Sequence, residues 1–148
     1  MRQEIKFFAD RDETEINLFI NLQSGNFSGR SDAWFSESAI RNFIAEISEY
    51  PMRDGYKASL IGGIWDVDGK EVVRSLVELS VSPSGGRGEL CVFVKLTKLM
   101  EEGLGIQCSA SSKIMASYQE IEAMRASLEN SILLLGQETS VVFVDCRQ

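Results

Sequence analysis

Two segments of this chain carry apolar side chains at helical spacing, and each follows a serine that can cap a helix. Ser36 precedes the first stripe, and Ser117 precedes the second, where Glu120 completes an S-x-x-E capping box. Each stripe predicts an amphipathic helix that buries one face. The first stripe consists of Ile40, Phe43, Ile44 and Ile47. The second stripe consists of Ile121, Met124, Leu128, Ile132 and Leu135, and we expect its helix to end at Gly136 as the C′ residue.

Most of the remaining chain alternates apolar and polar residues with a period of two, which is typical of half-buried β-strands. The pattern predicts an N-terminal hairpin over residues 5–22, a strand over 27–35, a three-stranded antiparallel meander over 56–97, and further strands over 106–114 and 141–144. Gly62 and Gly63 indicate a bulge or a sharp bend in the meander, and residues 97–105 are expected to be a connection.

These elements together define an α+β chain, which we expect to be a single domain over residues 1–148. We predict a mostly antiparallel, curved sheet of about seven to eight strands, with both helices burying their stripes against one face of it. Residues 25–47 and 106–128 match at a constant offset of 81, because each is an alternating strand followed by a serine-capped helix. The chain can therefore be divided into pseudo-repeat units 14–65 and 88–146, which reflect either duplication or shared architecture without common ancestry.

Composition excludes several functions. The 148 residues include no histidine, so catalytic triads, metal sites and proton shuttles that use histidine are absent from this sequence. The net charge of −7 is spread over both halves and argues against nucleic-acid binding, which needs a basic surface. No apolar run approaches the ~20 residues that span a bilayer. The N-terminal residues lack the apolar segment of a signal peptide, so we expect none. We expect a cytoplasmic protein that binds neither nucleic acid nor membranes.

The three cysteines indicate neither disulfides nor a metal site. Cys91, Cys108 and Cys146 are odd in number, widely spaced and without a C-x-x-C pair. All three fall in strand-like segments, so we predict that they are small, buried apolar groups. We predict no metal ligands, no cofactor and no catalytic residues.

The densest acidic cluster lies between the first two predicted strands and consists of Asp10, Asp12, Glu13 and Glu15. At an exposed hairpin turn such carboxylates are either simply solvated or form an acidic patch that attracts a basic protein partner.

Two further residues are candidates for partner binding. Trp34 lies near a strand end, on the face opposite Phe35, and tryptophan serves either as a core residue or as a binding hot spot. Arg87 lies in the glycine-rich loop 82–88, and such loops often contact partners.

The order of a strand, the motif W-F-x(4)-[IL]-x(2)-F-x(3)-[IL], a meander and a second strand–helix unit resembles small uncharacterised bacterial α+β proteins. In this chain the motif begins at Trp34 and ends at Ile47. Several such families accompany polymorphic toxins and act as immunity proteins. The resemblance implies a cytoplasmic, non-enzymatic protein that binds and blocks one partner, for which a basic toxin would suit the acidic chain. The alternative is a small-ligand-binding or structural domain that works as a homo-oligomer, and a homodimer is compatible with the sequence.

Overall fold

The computed structural model describes residues 2–65, 68–70, 72–85, 88–101 and 106–144. It is an α+β fold in which these residues form two helices and eight strands, and every strand pairing is antiparallel. In chain order the elements are β1 (Arg2–Arg11), β2 (Ile16–Ser24), β3 (Phe27–Phe35), α1 (Glu37–Ile47), β4 (Ala58–Trp65), β5 (Val72–Ser84), β6 (Glu89–Glu101), β7 (Ile106–Ala116), α2 (Tyr118–Leu133) and β8 (Thr139–Val144).

The strands form two sheets of four rather than the one curved sheet that we expected. The first sheet has the order β3-β2-β1-β8, and the second has the order β4-β5-β6-β7. The two sheets are separate because no strand of the first sheet pairs with a strand of the second among the described residues, and the last strand does not extend the second meander. Instead β8 pairs with the first strand of the chain, with Val141 opposite Ile5.

The inner faces of both sheets contribute to one continuous hydrophobic core. Strand β3 contacts all four strands of the second sheet, which requires it to run across them. The helices pack on different strands: α1 contacts β4 and α2, whereas α2 contacts mainly β8 and β1. The expectation that both helices cover one sheet face was therefore wrong, because α1 packs on a strand of the second sheet and α2 packs mainly on two strands of the first.

Local sequence signals explain the helix starts and one sheet irregularity. The Ser36 hydroxyl accepts a hydrogen bond from the Ala39 N–H, and Ser117 with Glu120 forms the predicted reciprocal capping box. A register shift lies between Gly62 and Gly63, as the glycine pair predicted.

Two element boundaries and three burial states differ from the sequence predictions. Helix α2 ends at Leu133 with Leu134 as its C-cap, one residue earlier than the predicted C′ residue Gly136 implies, and Leu135 is 39% exposed. Strand β6 continues to Glu101, so residues 97–101 are part of a strand and not of a connection. Cys108 is exposed and Cys91 is only half-buried, contrary to the expected burial; Cys146 lies outside the described residues.

The two halves of the chain repeat one order of elements. Three strands, a helix and a fourth strand occur as β1-β2-β3-α1-β4 and again as β5-β6-β7-α2-β8. The fourth strand of each half joins the sheet of the other half, because β4 pairs with β5 and β8 pairs with β1. The offset of 81 that relates Ser36 to Ser117 also relates Ala58 to Thr139, where these two exchanged strands begin.

Candidate binding face on the first sheet

The outer side of β1, β2 and β3, which faces away from the core, forms a surface that we call the open face. Strand alternation places on it the residues between the buried positions of these three strands. Two of its aromatic side chains remain accessible, since Phe19 is 38% and Trp34 is 43% exposed. A sheet face with accessible aromatic side chains is a candidate interaction surface.

Strand register arranges the open face in cross-strand rows, three of which lie nearest the β1–β2 turn. Counted from the turn, these three rows are Asp10, Asn17 and Trp34; then Phe8, Phe19 and Asp32; then Lys6, Asn21 and Arg30. The carboxylate of Asp10 and the ring of Trp34 therefore belong to one row, although they are far apart in sequence. Directly opposed side chains on paired strands interact across a sheet.

A groove of about 340 Å³ lies on the open face. Phe8 and Phe19 line it and pack edge to face, with their ring centroids 5.7 Å apart. Lys98 of β6 also lines the groove, because β3 crosses the second sheet there. The remaining lining residues are Lys6, Phe7, Ile20, Asn21, Arg30, Ser31, Asp32 and Glu138.

One buried hydrogen bond fixes the strand crossing beside the groove. The Ser31 hydroxyl donates to the Thr97 carbonyl oxygen at 2.7 Å, and both residues are buried. Arg30 precedes Ser31, and Lys98 follows Thr97. The bond therefore anchors the two segments that bring Arg30 and Lys98 to the same groove.

The charged groups of the groove differ in how they are neutralised. Lys6 forms ion pairs with Glu4 at 3.8 Å and Glu138 at 3.6 Å. The Asn17 amide, oriented so that its nitrogen faces acceptors, donates to Asp32 at 3.1 Å. Within the described part of the chain, neither Arg30 nor Lys98 forms an ion pair.

The acidic cluster occupies the β1–β2 turn at one end of the open face. The Asp12 carboxylate accepts hydrogen bonds from the Thr14 N–H at 2.8 Å and the Glu15 N–H at 2.7 Å. The bond from Glu15, followed by that from Thr14, lowers the pKa of Asp12 below its ordinary value, because these bonds favour the ionised form. Asp12 therefore shapes the turn, whereas Asp10, Glu13 and Glu15 have exposed side chains.

The predicted partner-binding residues are only partly brought together. Asp10 and Trp34 share a row of the open face; Asp12, Glu13 and Glu15 lie in the adjoining turn. Arg87 lies outside the described residues. The groove was not predicted from the sequence. Alternation alone would have placed Phe8, Phe19 and Arg30 on the outer side of their strands, but nothing local indicates Lys98.

No protein-family model, curated protein or solved structure matches the chain. Among the residues that the structure describes, no three cysteine, aspartate or glutamate side chains lie close enough to hold a metal ion. Neither of the two described helices is long and apolar enough to cross a membrane.

Proposed function

We propose that the protein is a non-enzymatic protein-binding module that binds its partner through the open face and the adjoining acidic turn. One observation carries the proposal: an accessible row that joins Asp10 to Trp34 continues into an acidic turn that includes Glu13 and Glu15. An exposed tryptophan supplies the apolar anchor of a typical hot spot, and the surrounding carboxylates would speed association with a basic partner.

The most concrete form of this function is an immunity or inhibitor protein that neutralises a bacterial toxin in the cytoplasm. The net charge of −7 supports a basic toxin as the partner, because opposite charge increases association rates and disfavours other acidic proteins. Inhibition by binding requires no catalytic group in the inhibitor.

The experiment compares the wild-type chain with variants as baits for the product of any toxin-like gene next to its own. Trp34→Ser removes the aromatic anchor, and Glu13→Lys with Glu15→Lys reverses two charges of the turn. Trp65→Ser is the matched control, because Trp65 is 44% exposed but belongs to β4 of the second sheet. Calorimetry should show weaker binding for the first two variants and wild-type affinity for the control.

Two outcomes would contradict the proposal. One is the absence of binding to any such toxin, and the other is equal affinity of all variants. Light scattering on the free chain tests the homodimer separately: a dimer dissociated by Trp34→Ser would assign the open face to self-association instead.

The groove favours a second function, which is the binding of a small ligand. Ligand clefts typically have volumes of about 300 to 1,000 Å³, so a groove of about 340 Å³ lies at the small end of this range. This function requires no partner protein and can be tested independently of the first.

A further inference from the structure

We infer that the groove binds a small organic monocarboxylate that carries an aromatic or flat apolar group. The inference rests on the second proposed function, small-ligand binding, and specifies its ligand. It does not depend on protein binding by the acidic turn. The observation behind it is that Arg30 and Lys98, which form no ion pair with any described residue, line the same groove as the exposed ring of Phe19.

The backbone beside the two cations is held in place before any ligand arrives. Arg30 and Lys98 also line a second, smaller depression at the crossing of β3 with β6 and β7, so the two side chains lie on a common rim. The buried bond from Ser31 to Thr97 fixes the backbone beside both. A fixed backbone beside both cations reduces the ordering cost of recognition, and a guanidinium can donate two parallel hydrogen bonds to a carboxylate.

The apolar half of the ligand site is the Phe8–Phe19 pair. The edge-to-face arrangement fixes the two rings, while Phe19 still presents 38% of its surface. A flat apolar group can stack on such a ring and bury it. The modest volume of the groove, about 340 Å³, restricts the ligand to small molecules.

The acidic residues of the groove favour a single negative charge on the ligand. Asp32 and Glu138 also line it, and they would repel a phosphate dianion more strongly than a carboxylate. Glu138 is partly neutralised by Lys6, whereas Arg30 and Lys98 have no acidic partner within the part of the chain that the structure describes.

The test uses the full ¹⁵N-labelled chain and three probes of similar shape: phenylacetate, phenylacetamide and phenethylamine. Phenylacetate should shift the amide resonances of residues 6–8, 19–21 and 30–32, and it should bind more tightly than the neutral and cationic probes. Arg30→Gln and Lys98→Gln should each weaken phenylacetate binding about tenfold, as expected for the loss of a charge-assisted hydrogen bond.

Lys113→Gln is the matched control. Lys113 is an exposed lysine on the second sheet, paired across strands with Phe93, and it does not line the groove. Its substitution should leave phenylacetate binding unchanged. The amide spectrum of each variant verifies folding, and Arg30 and Lys98 are both exposed, so their substitution leaves the core intact.

Three outcomes would overturn the inference, and they affect the two proposed functions differently. Equal binding of all three probes in the groove would retain a small-ligand site but remove its selectivity for carboxylates. Unchanged phenylacetate affinity in both Arg30→Gln and Lys98→Gln would have the same meaning. A lack of shifts at the groove with every probe would overturn small-ligand binding as well, while protein binding by the open face would be unaffected.

Discussion

Gly29 of β3 and Ala110 of β7 stand at equivalent positions of the two halves, 81 residues apart, and they lie directly against each other. A Cβ atom on Gly29 would lie 2.5 Å from the Cβ atom of Ala110. The two sheets therefore approach each other closely at this pair, and the absence of a side chain at Gly29 makes this approach feasible.

This contact predicts a compensating pair of substitutions. Gly29→Ala should lower the free energy of unfolding by about 1–3 kcal/mol, because the new methyl group overpacks the strand crossing. Adding Ala110→Gly should recover most of this loss, since the methyl group is then only moved from one side of the contact to the other. Urea unfolding of the two single variants and the double variant measures the coupling.

Ser28→Ala is the control for this pair, because Ser28 is an exposed neighbour on β3. It should change stability by less than about 0.5 kcal/mol. A Gly29→Ala variant as stable as the wild type would show that the strands can separate at no cost, contrary to the close approach.

The buried hydrogen bond from Ser31 to Thr97 predicts a second effect on stability. Ser31→Ala removes the donor to the Thr97 carbonyl oxygen and should cost about 1 kcal/mol. It should also loosen the position of Lys98 relative to Arg30, so amide hydrogen exchange should rise around residues 30–32 and 97–98. Full retention of exchange protection there would contradict the anchoring role of the bond.

The sequence predicted features that depend on neighbouring residues. Ser36, Ser117 and Glu120 identified both helix starts, because capping is completed within one turn. Strand alternation identified the β1–β2 hairpin and the meander, because in both of them each strand pairs with the next strand along the chain. Gly62 with Gly63 located the bulge. In each case the relevant partners are close in sequence.

What the sequence did not predict depends on distant pairings. The membership of β8 in the first sheet depends on Val141 pairing with Ile5, and no local signal distinguishes this pairing from extension of the second meander. The groove likewise requires β3 to cross β6, which brings Arg30 to Lys98. Trp34 could be assigned to the face opposite Phe35, but whether that face is covered depends on where the helices pack.

Asp12 predicts a pH dependence of stability. Hydrogen bonds from Glu15 and Thr14 lower its pKa in the folded state below the ordinary 3.8. The stabilisation by ionised Asp12 is therefore fully present above this ordinary value and is lost as the pH falls through the lowered, folded-state pKa. At pH 7 the wild type should be more stable than Asp12→Asn, and the difference should shrink towards pH 2.

Two measurements check this prediction. Urea midpoints of both proteins at pH 7 and pH 2 give the change in stability difference, and carboxyl resonances followed by NMR give the titration of Asp12 directly. A stability difference that grows as the pH falls would contradict the assignment.

For tests of partner binding, Glu13 is a better position than Asp12, because its substitution removes charge without removing the hydrogen bonds that Asp12 makes in the turn.

The exposed thiol of Cys108 predicts selective chemical modification. The inward side of β7 is covered by β3 at Ala110, but Cys108 lies two residues beyond this contact, towards the β6–β7 connection. It is therefore exposed although strand alternation predicted a buried cysteine, whereas Cys91 is half-buried. Brief treatment of the native chain with iodoacetamide, followed by peptide mass spectrometry, should find Cys108 modified faster than Cys91, since access limits thiol alkylation. In urea the two rates should become similar, because unfolding removes the difference in access. Faster modification of Cys91 in the native chain would place the end of the covered surface elsewhere on β7.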